Sequence, residues 1–247
     1  MRGILTWHSV DPSGSPISID EAAFRAHVTW LATGAVPVLP LEQIIAPGAP
    51  GHAVALTFDD AFASFHDVAW PLLRAHRLPV TLFVVSEQAG KTNAWGGRDA
   101  PGIPTLPLMD WEALGRVAAE GVSLGAHSRT HPDLRGTGDA ALQAELAGSA
   151  DDIAARTGIR PSVFAYPYGG VDERVAAATA RSFGAAVTTE LRSLGSAETP
   201  LRLPRLDTFY LRGRGRLEGW GTPVFQARLA LRRTLRNARA ALTGRPA

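Results

Sequence analysis

The segment AVALTFDD, residues 53–60, is the clearest indication of the fold class: six residues suited to a buried strand run directly into two aspartates. A short apolar run that ends abruptly in polar residues is typical of a parallel strand covered on both faces. Outward from this segment, strand-like and helix-like stretches alternate along the chain. Six further strands are predicted, at residues 4–7, 80–85, 122–126, 162–165, 185–188 and 201–206.

Helix-like segments separate these strands. Ser18-Ile19-Asp20-Glu21 is interpreted as a capping box that opens a helix to about residue 33. Further helices are predicted at residues 62–76, 110–120, 139–156 and 172–182. Strands alternating with helices indicate βαβ units and a parallel sheet. At 247 residues, an α/β fold with a single closed or nearly closed (β/α) barrel of about seven strands fits better than two domains.

The composition restricts the chemistry. Hydrophobic residues make up 45% of the chain and charged residues 19%, which suits a globular protein with a real core. Cysteine is absent, so disulfides, thiol nucleophiles and thiolate metal sites are excluded. Any metal ion must therefore bind to His, Asp or Glu.

The net charge of +2 conceals an asymmetry between the two ends of the chain. Residues 1–201 carry 14 basic and 21 acidic residues, whereas residues 202–247 carry 11 arginines against two acids. We interpret residues 1–221 as the folded domain and 222–247 as an Arg-rich amphipathic tail with a helix over about 224–242. Such a helix either lies on an anionic membrane or packs its apolar side on the barrel. Nucleic-acid binding is not expected, because no recognisable module supports it.

The N-terminus carries no signal-peptide pattern. Its apolar run at residues 4–7 is too short for the core of a signal peptide. No stretch of about 18 apolar residues that would span a membrane occurs. We expect a cytoplasmic protein, with peripheral contact at the inner face of the cytoplasmic membrane if the tail binds lipid.

Polar residues follow four of the predicted strands. They are His8, the pair Asp59-Asp60, His127 with His131, and the segment Tyr166-Pro167-Tyr168. In parallel α/β folds the carboxyl ends of the strands meet at one face, where the chemistry is located. Two histidines and one carboxylate form a catalytic zinc set that leaves a position open for water. Either Asp59 or Asp60 supplies the carboxylate, and the other is free to accept a proton or to cap the next helix.

Three segments resemble the motifs of the polysaccharide deacetylase superfamily, also called carbohydrate esterase family 4. Residues 56–60, LTFDD, are similar to its first motif, and residues 125–134, GAHSRTHPDL, to its second. Residues 164–169, FAYPYG, resemble the third. The similarity covers roughly residues 1–210. It implies a deformed (β/α) barrel that removes acetyl groups from N-acetylated sugars with the help of a metal ion.

The resemblance also implies a role for each matching residue. Asp59 matches the general base, and Asp60, His127 and His131 match the metal ligands. The backbone N–H of Tyr168 matches a donor to the oxyanion. We expect Pro167, Tyr166 and Arg205 beside the substrate as well. Tyr166, Trp7 and Trp95 are each candidates either to stack on a sugar ring or to pack in the core. Zinc is the expected ion, and cobalt, nickel or iron would fit the same ligands.

The sequence departs from the family pattern in three places, one of which is that the fourth motif, a late Asp and Trp, has no clear counterpart. Ala165 stands where the third motif usually has an arginine that braces the base, and no histidine follows His131 to act as the late acid. In the circularly permuted subgroup of exopolysaccharide and poly-N-acetylglucosamine deacetylases, the acid histidine comes first in the chain. His8 fits that place. Arg205 is a candidate for the missing brace, and Asp207 for orienting His8.

The sequence therefore predicts a metal-dependent N-deacetylase acting on an acetylated amino sugar or a surface polysaccharide. An O-acetyl esterase or a non-sugar amidohydrolase with the same site is one alternative. A non-catalytic domain that binds glycan or membrane is another, because two usual family residues are missing from their places.

Overall fold

A closed barrel of seven parallel strands forms the centre of the protein. The computed structural model describes residues 1–97, 100–213 and 215–243. In their order around the ring, the barrel strands are Arg2–Trp7 (β1), Ala53–Phe58 (β4), Thr81–Val84 (β5), Ser123–Ala126 (β6), Val163–Ala165 (β7), Ala185–Leu191 (β8) and Leu203–Asp207 (β9). The ring closes where β9 pairs with β1.

Helices surround the barrel, and a two-stranded pair lies beside it. The pair consists of β2, Ser9–Val10, and β3, Ser18–Ile19. The α-helices are Glu21–Ala32 (α1), Leu41–Ile45 (α2), Trp70–Ala75 (α3), Trp111–Ala119 (α4), Asp139–Thr157 (α5), Glu173–Thr179 (α6) and Pro223–Thr243 (α7). The predicted barrel of seven strands is confirmed, and each predicted strand overlaps an observed one.

Alternation along the strands divides the core into two layers. Alternate residues of a strand face opposite sides of a sheet. In β4, Ala53 and Ala55 belong to a cluster inside the barrel that includes Phe83, whereas Leu56 and Phe58 belong to the larger cluster between the barrel and the helices. This alternation determines which side chains enter the barrel at the ends of the strands.

Three details of the helices differ from the sequence predictions. The predicted helix at residues 62–76 is divided into a π-helix, Phe65–Ala69, and the short helix α3. The N-cap of α1 is Asp20, whose side chain accepts a hydrogen bond from the Ala23 N–H, so the capping box that began at Ser18 is wrong. Ser18 lies in β3, and its hydroxyl donates to Asp11 Oδ2 over 2.7 Å. The helix α2 was not predicted, because its five residues are too few for a periodic pattern. Its Leu41 and Ile44 pack in the inner cluster.

The C-terminal helix α7 packs on the barrel through its first turns. Phe225 and Leu229 are buried in the larger cluster, and Trp220, just before the helix, donates to the carbonyl of Met1. The predicted helix is confirmed, and the division of the chain at residue 222 stays a prediction. Within the described residues, no helix is both long enough and apolar enough to cross a membrane.

Two glycines provide a test of the packing inside the barrel. A methyl group on Gly125 of β6 would meet the ring of Phe83, whereas one on Gly115 of α4 would meet nothing within 4 Å. We expect Gly125→Ala to lower the free energy of unfolding by about 1–3 kcal/mol, as overpacked cores do. Gly115→Ala should raise it by about 0.5–1 kcal/mol, since alanine is the better helix former. Chemical denaturation measures both, and equal effects of the two substitutions would contradict this packing.

Candidate active site

The carboxyl ends of the barrel strands bring the predicted polar residues to one face. The register of β1 on β4 sets Trp7 opposite Phe58, so His8 and Asp59 emerge side by side. The His8 Nε2 lies 3.7 Å from the Asp59 Oδ2. His127 follows β6 and packs beside the carboxylate of Asp60. Residues from three strands far apart in sequence thus form one cluster.

Asp60, His127 and His131 form the only buried group among the described residues whose ligand atoms all lie within 4.8 Å of one another. The Asp60 Oδ1 is 3.4 Å from the His127 Nε2 and 3.6 Å from the His131 Nε2. The three predicted metal ligands are therefore brought together. One carboxylate oxygen faces two imidazole nitrogens, which is a suitable donor set for zinc or a similar ion.

The hydrogen bonds around this trio leave the inner atoms available. The His127 Nδ1 lies 2.7 Å from the carbonyl of Ala165, which holds the proton on Nδ1 and directs Nε2 toward Asp60. The Asp60 Oδ1 is buried and has no hydrogen-bond partner among the described residues. A buried carboxylate oxygen without a donor is unfavourable unless a cation compensates it. The residues present therefore fit a divalent metal ion.

The electrostatics of the trio also favour a cation. Burial lowers the pKa of His131 to about 3, so its imidazole is neutral and able to act as a ligand. Burial disfavours the charged form of His127 too, but the Asp60 and Asp59 carboxylates outweigh this effect and raise the pKa of His127. The negative charge of Asp60 therefore favours a positive charge beside it, while the imidazole of His131 stays neutral.

Asp59 is held by Arg205 in a bidentate ion pair. The guanidinium donates from Nη1 to Oδ1 and from Nη2 to Oδ2 of Asp59, each over 2.6 Å, and both side chains are buried. Arg205 is fixed in turn by the carbonyl of Thr188 and by the hydroxyl of Thr6, both at 3.0 Å. Burial raises the pKa of Asp59, but the Arg205 guanidinium overcomes this and holds that pKa well below its usual range.

His8 and Asp207 meet the sequence prediction to different degrees. The His8 side chain is 22% exposed, so it faces both Asp59 and the opening of the site. The Asp207 Oδ1 accepts a hydrogen bond from the N–H of Phe209 and thereby caps a short turn. Among the described residues, no hydrogen bond joins Asp207 to His8. Burial raises the pKa of Asp207 and the nearby His8 opposes this rise, so the orienting role of Asp207 stays a prediction.

Backbone strain is concentrated at this face of the barrel. Asp60, Ser128, His131 and Tyr168 all have φ between 57° and 69°, in the left-handed region that few non-glycine residues adopt. For Asp60 the reason is geometric: continuing the strand would send it to the opposite face from Asp59. The left-handed turn brings both carboxylates into the site. Strained positions of this kind persist where the surrounding structure holds them.

Aromatic rings flank His131 at the opening. The Trp95 ring stacks on His131 with a centroid separation of 4.4 Å, and the Tyr168 ring, which is 48% exposed, meets it edge-on.

The predicted stacking of Tyr166 or Trp7 on a sugar is wrong, because both side chains are buried in the core. Pro167 is also buried, and Arg205 reaches Asp59 rather than the opening.

A brace behind the metal trio was not predicted from the sequence. The Glu145 carboxylate of α5 accepts hydrogen bonds from the N–H groups of Arg129 and Thr130, over 2.7 and 3.0 Å, and from the Thr130 hydroxyl over 2.6 Å. These contacts hold the strained loop between His127 and His131. Glu145 carries no local signal, because an acidic residue in the middle of a helix is usually solvent-exposed.

Sequence comparison relates the chain to proteins of one family. Residues 47–187, more than half of the chain, match the sequence model of the family described as Polysaccharide deacetylase. The YxkH protein of Bacillus subtilis (strain 168) is 24% identical over 193 residues, 76% of this chain and 64% of that protein. A poly-beta-1,6-N-acetyl-D-glucosamine N-deacetylase of Staphylococcus epidermidis is 28% identical over 80 residues, 31% of this chain and 28% of that enzyme. The chain thus spans less than two-thirds of the length of these relatives.

Solved structures share the barrel. The Streptococcus pyogenes deacetylase PplD, solved in complex with acetate, superposes with a TM-score of 0.71 at 20% identity, over 83% of this chain and 91% of that one. IcaB from Ammonifex degensii gives 0.68 at 20% identity, over 84% and 93%. The BpsB deacetylase domain from Bordetella bronchiseptica gives 0.68 at 21% identity, over 83% and 95%. At these identities the likeness shows the fold alone.

The Glu145 brace predicts an effect on metal binding. Glu145→Gln keeps the size of the side chain but removes the charge and one acceptor oxygen, so the loop that carries His131 loses support. We expect zinc affinity to fall about 10–100-fold, as when partners of metal ligands are changed. Competition titration with a chromogenic chelator measures this. Glu112→Gln on α4, in a side chain that is 82% exposed, is the matched control. Equal affinities of the two variants would contradict the role of the brace.

Proposed function

Since the chain belongs to the polysaccharide deacetylase family, we propose that it is a metal-dependent hydrolase that removes N-acetyl groups from an acetylated amino sugar, in a surface polysaccharide or exopolysaccharide or in an intermediate of one. One observation carries the proposal. Two adjacent carboxylates lie in different environments: Asp59 is paired with Arg205, and Asp60 lies beside two histidines. Amide hydrolysis by a metal-assisted route needs both a ligand and a base.

Asp60, His127 and His131 would hold the ion, with zinc first and cobalt, nickel or iron as other candidates. When bound there, such a cation polarises an acetyl carbonyl and makes a nearby water more acidic. Asp60 contributes one negative charge and the histidines contribute neutral donors, so the site keeps a net positive charge when the ion is bound. The Ala165 carbonyl keeps the donor atom of His127 aimed inward.

Asp59 acts as the general base in this proposal. The guanidinium of Arg205 keeps the carboxylate ionised and fixes both of its oxygens. A fixed, ionised carboxylate accepts the proton of a water that attacks the acetyl carbon. Because Arg205 already compensates the charge of Asp59, that carboxylate is less available to become a fourth ligand of the ion.

His8 acts as the general acid, and the Tyr168 N–H as a donor to the oxyanion. An amide nitrogen leaves poorly without a proton, so a proton donor must stand at the opening on the side of the departing amine. His8 lies beside Asp59 and is partly exposed there. This acid is the feature that favours an amide over an O-acetyl ester, whose alkoxide leaves more readily.

The chemistry of relatives supports an N-acetylhexosamine as the substrate. The similar staphylococcal proteins are poly-beta-1,6-N-acetyl-D-glucosamine N-deacetylases, although the matched segment is short. The rings of Trp95 and Tyr168 at the opening are suited to stack on a pyranose face.

The proposed function is tested with zinc-loaded protein and oligomers of β-1,6-linked N-acetylglucosamine. The wild type should release acetate and free amine in equal amounts. Asp59→Asn should lower kcat at least about 100-fold, because the base is lost, and should retain the metal. Asp60→Asn should lose the metal as well. Asp67→Asn, in an exposed side chain, is the control. If the wild type and Asp59→Asn both bind zinc and are equally inert toward acetylated sugars, the proposed enzymatic activity is contradicted.

Arg205 predicts a particular dependence on pH. Burial raises the pKa of Asp59 and Arg205 lowers it, so Arg205→Ala should move that pKa upward. The low-pH limb of kcat should then shift to higher pH, and turnover should fall about 100-fold while zinc content stays close to that of the wild type. Arg205→Lys keeps the positive charge but cannot make the bidentate contact, so its turnover and its pH profile should lie between those of the wild type and of Arg205→Ala. Arg25→Ala, which removes an exposed arginine of α1 that pairs with Glu21, is the control. An unchanged pH profile of Arg205→Ala would contradict the role of Arg205.

A further inference from the structure

The helix α7 runs along the outside of the barrel from the amino ends of the strands toward the catalytic face. At its start, the Trp220 Nε1 donates to the carbonyl of Met1, which precedes β1 at the amino ends of the strands. Three turns further, the Arg232 guanidinium lies 6.0 Å from the ring of Tyr210, which follows β9.

Arg236 and Asn237 line a cavity of about 310 Å³ together with Gly169 and residues 188–191, at the carboxyl ends of β7 and β8. The second half of α7 therefore stands beside the opening of the active site.

The apolar residues of α7 divide between two faces. Phe225 and Leu229 are buried against the barrel. Val224, Leu231 and Leu235 are 58%, 60% and 54% exposed, and they are three of the five large hydrophobic side chains that are exposed among the described residues. Single exposed hydrophobic residues are ordinary, but a concentration on one helix indicates an interaction surface. The barrel does not cover this face.

Arginines surround the exposed leucines. Arg228 and Arg232 line the same groove of about 270 Å³ as Leu231 and Leu235. After Glu218 the sequence contains six arginines and no acidic residue. A soluble polyanion would use the arginines and leave the leucines in water, and a second apolar protein surface would gain nothing from the arginines. An anionic lipid surface uses both, through its headgroups and its acyl chains.

We propose that the exposed face of the second half of α7, Arg228, Leu231, Arg232 and Leu235, docks on an anionic membrane. Docking in this way places the active-site opening near the bilayer, because the same part of the helix lies at the carboxyl ends of β8 and β9. The leucines insert at the level of the headgroups, and the arginines pair with phosphates. The contact is peripheral, since α7 is too polar to span the bilayer.

The test uses the full chain and sucrose-loaded vesicles of phosphatidylcholine with about 30% phosphatidylglycerol, a composition in which the anionic surface attracts basic segments. The wild type should sediment with these vesicles and at least about tenfold more weakly with pure phosphatidylcholine. Leu231→Gln with Leu235→Gln should weaken binding at least about tenfold, because two inserted apolar side chains are lost. Arg228→Gln with Arg232→Gln should weaken it similarly and reduce its dependence on salt.

The matched control is Ile159→Gln, which changes an exposed apolar residue away from α7 and should alter binding less than about twofold. Circular dichroism and the metal affinity of each variant check the fold without relying on activity. Absence of wild-type binding, or equal binding to neutral vesicles, would overturn the proposal. Loss of binding in the arginine variant but not in the leucine variant would overturn it in favour of a soluble polyanion. A wild-type dimer in analytical ultracentrifugation that the leucine variant abolishes would overturn it in favour of a second copy.

Discussion

The ion pair between Arg205 and Asp59 is the interaction on which the site depends. It joins β9 to β4 inside the barrel, and it separates two aspartates that are adjacent in the chain. Without Arg205, two neighbouring buried carboxylates would compete for one cation and repel each other. With it, Asp59 is compensated by a permanent positive charge, and the uncompensated oxygen belongs to Asp60.

An ion pair of this kind contributes little to the stability of a barrel. The free-energy cost of removing two charges from water often exceeds the energy of their attraction, and apolar residues of the same volume commonly stabilise a core better. Its value here lies in geometry: both oxygens of Asp59 are fixed, and the surrounding hydroxyls of Thr6 and Thr57 satisfy the guanidinium. The backbone at Asp60 and His131 is a second case, in which an unfavourable local conformation places a functional atom. The hydrogen bonds of Glu145 then hold the loop that carries His131.

Most of the barrel could be predicted from the sequence, and the exceptions have physical causes. Most of the strands are apolar runs bounded by turns, so they can be identified without the structure, whereas β9, with the sequence LPRLD, carries no such run. The trio of Asp60, His127 and His131 followed from motifs at strand ends. Arg205 could be suggested but not placed, because its partner is 146 residues away in the chain. Periodicity could not tell Tyr166 in the core from Tyr168 at the opening, since the turn at Tyr168 decides which ring is exposed.

Anomalous diffraction at the zinc edge, from crystals of the full chain grown with zinc, decides whether the two aspartates are divided between a cation and a guanidinium. We expect one peak bound by the Asp60 Oδ1 and by the Nε2 atoms of His127 and His131, with Asp59 still paired with Arg205. A peak ligated by Asp59 with Arg205 displaced, or no peak at the three residues, would contradict it.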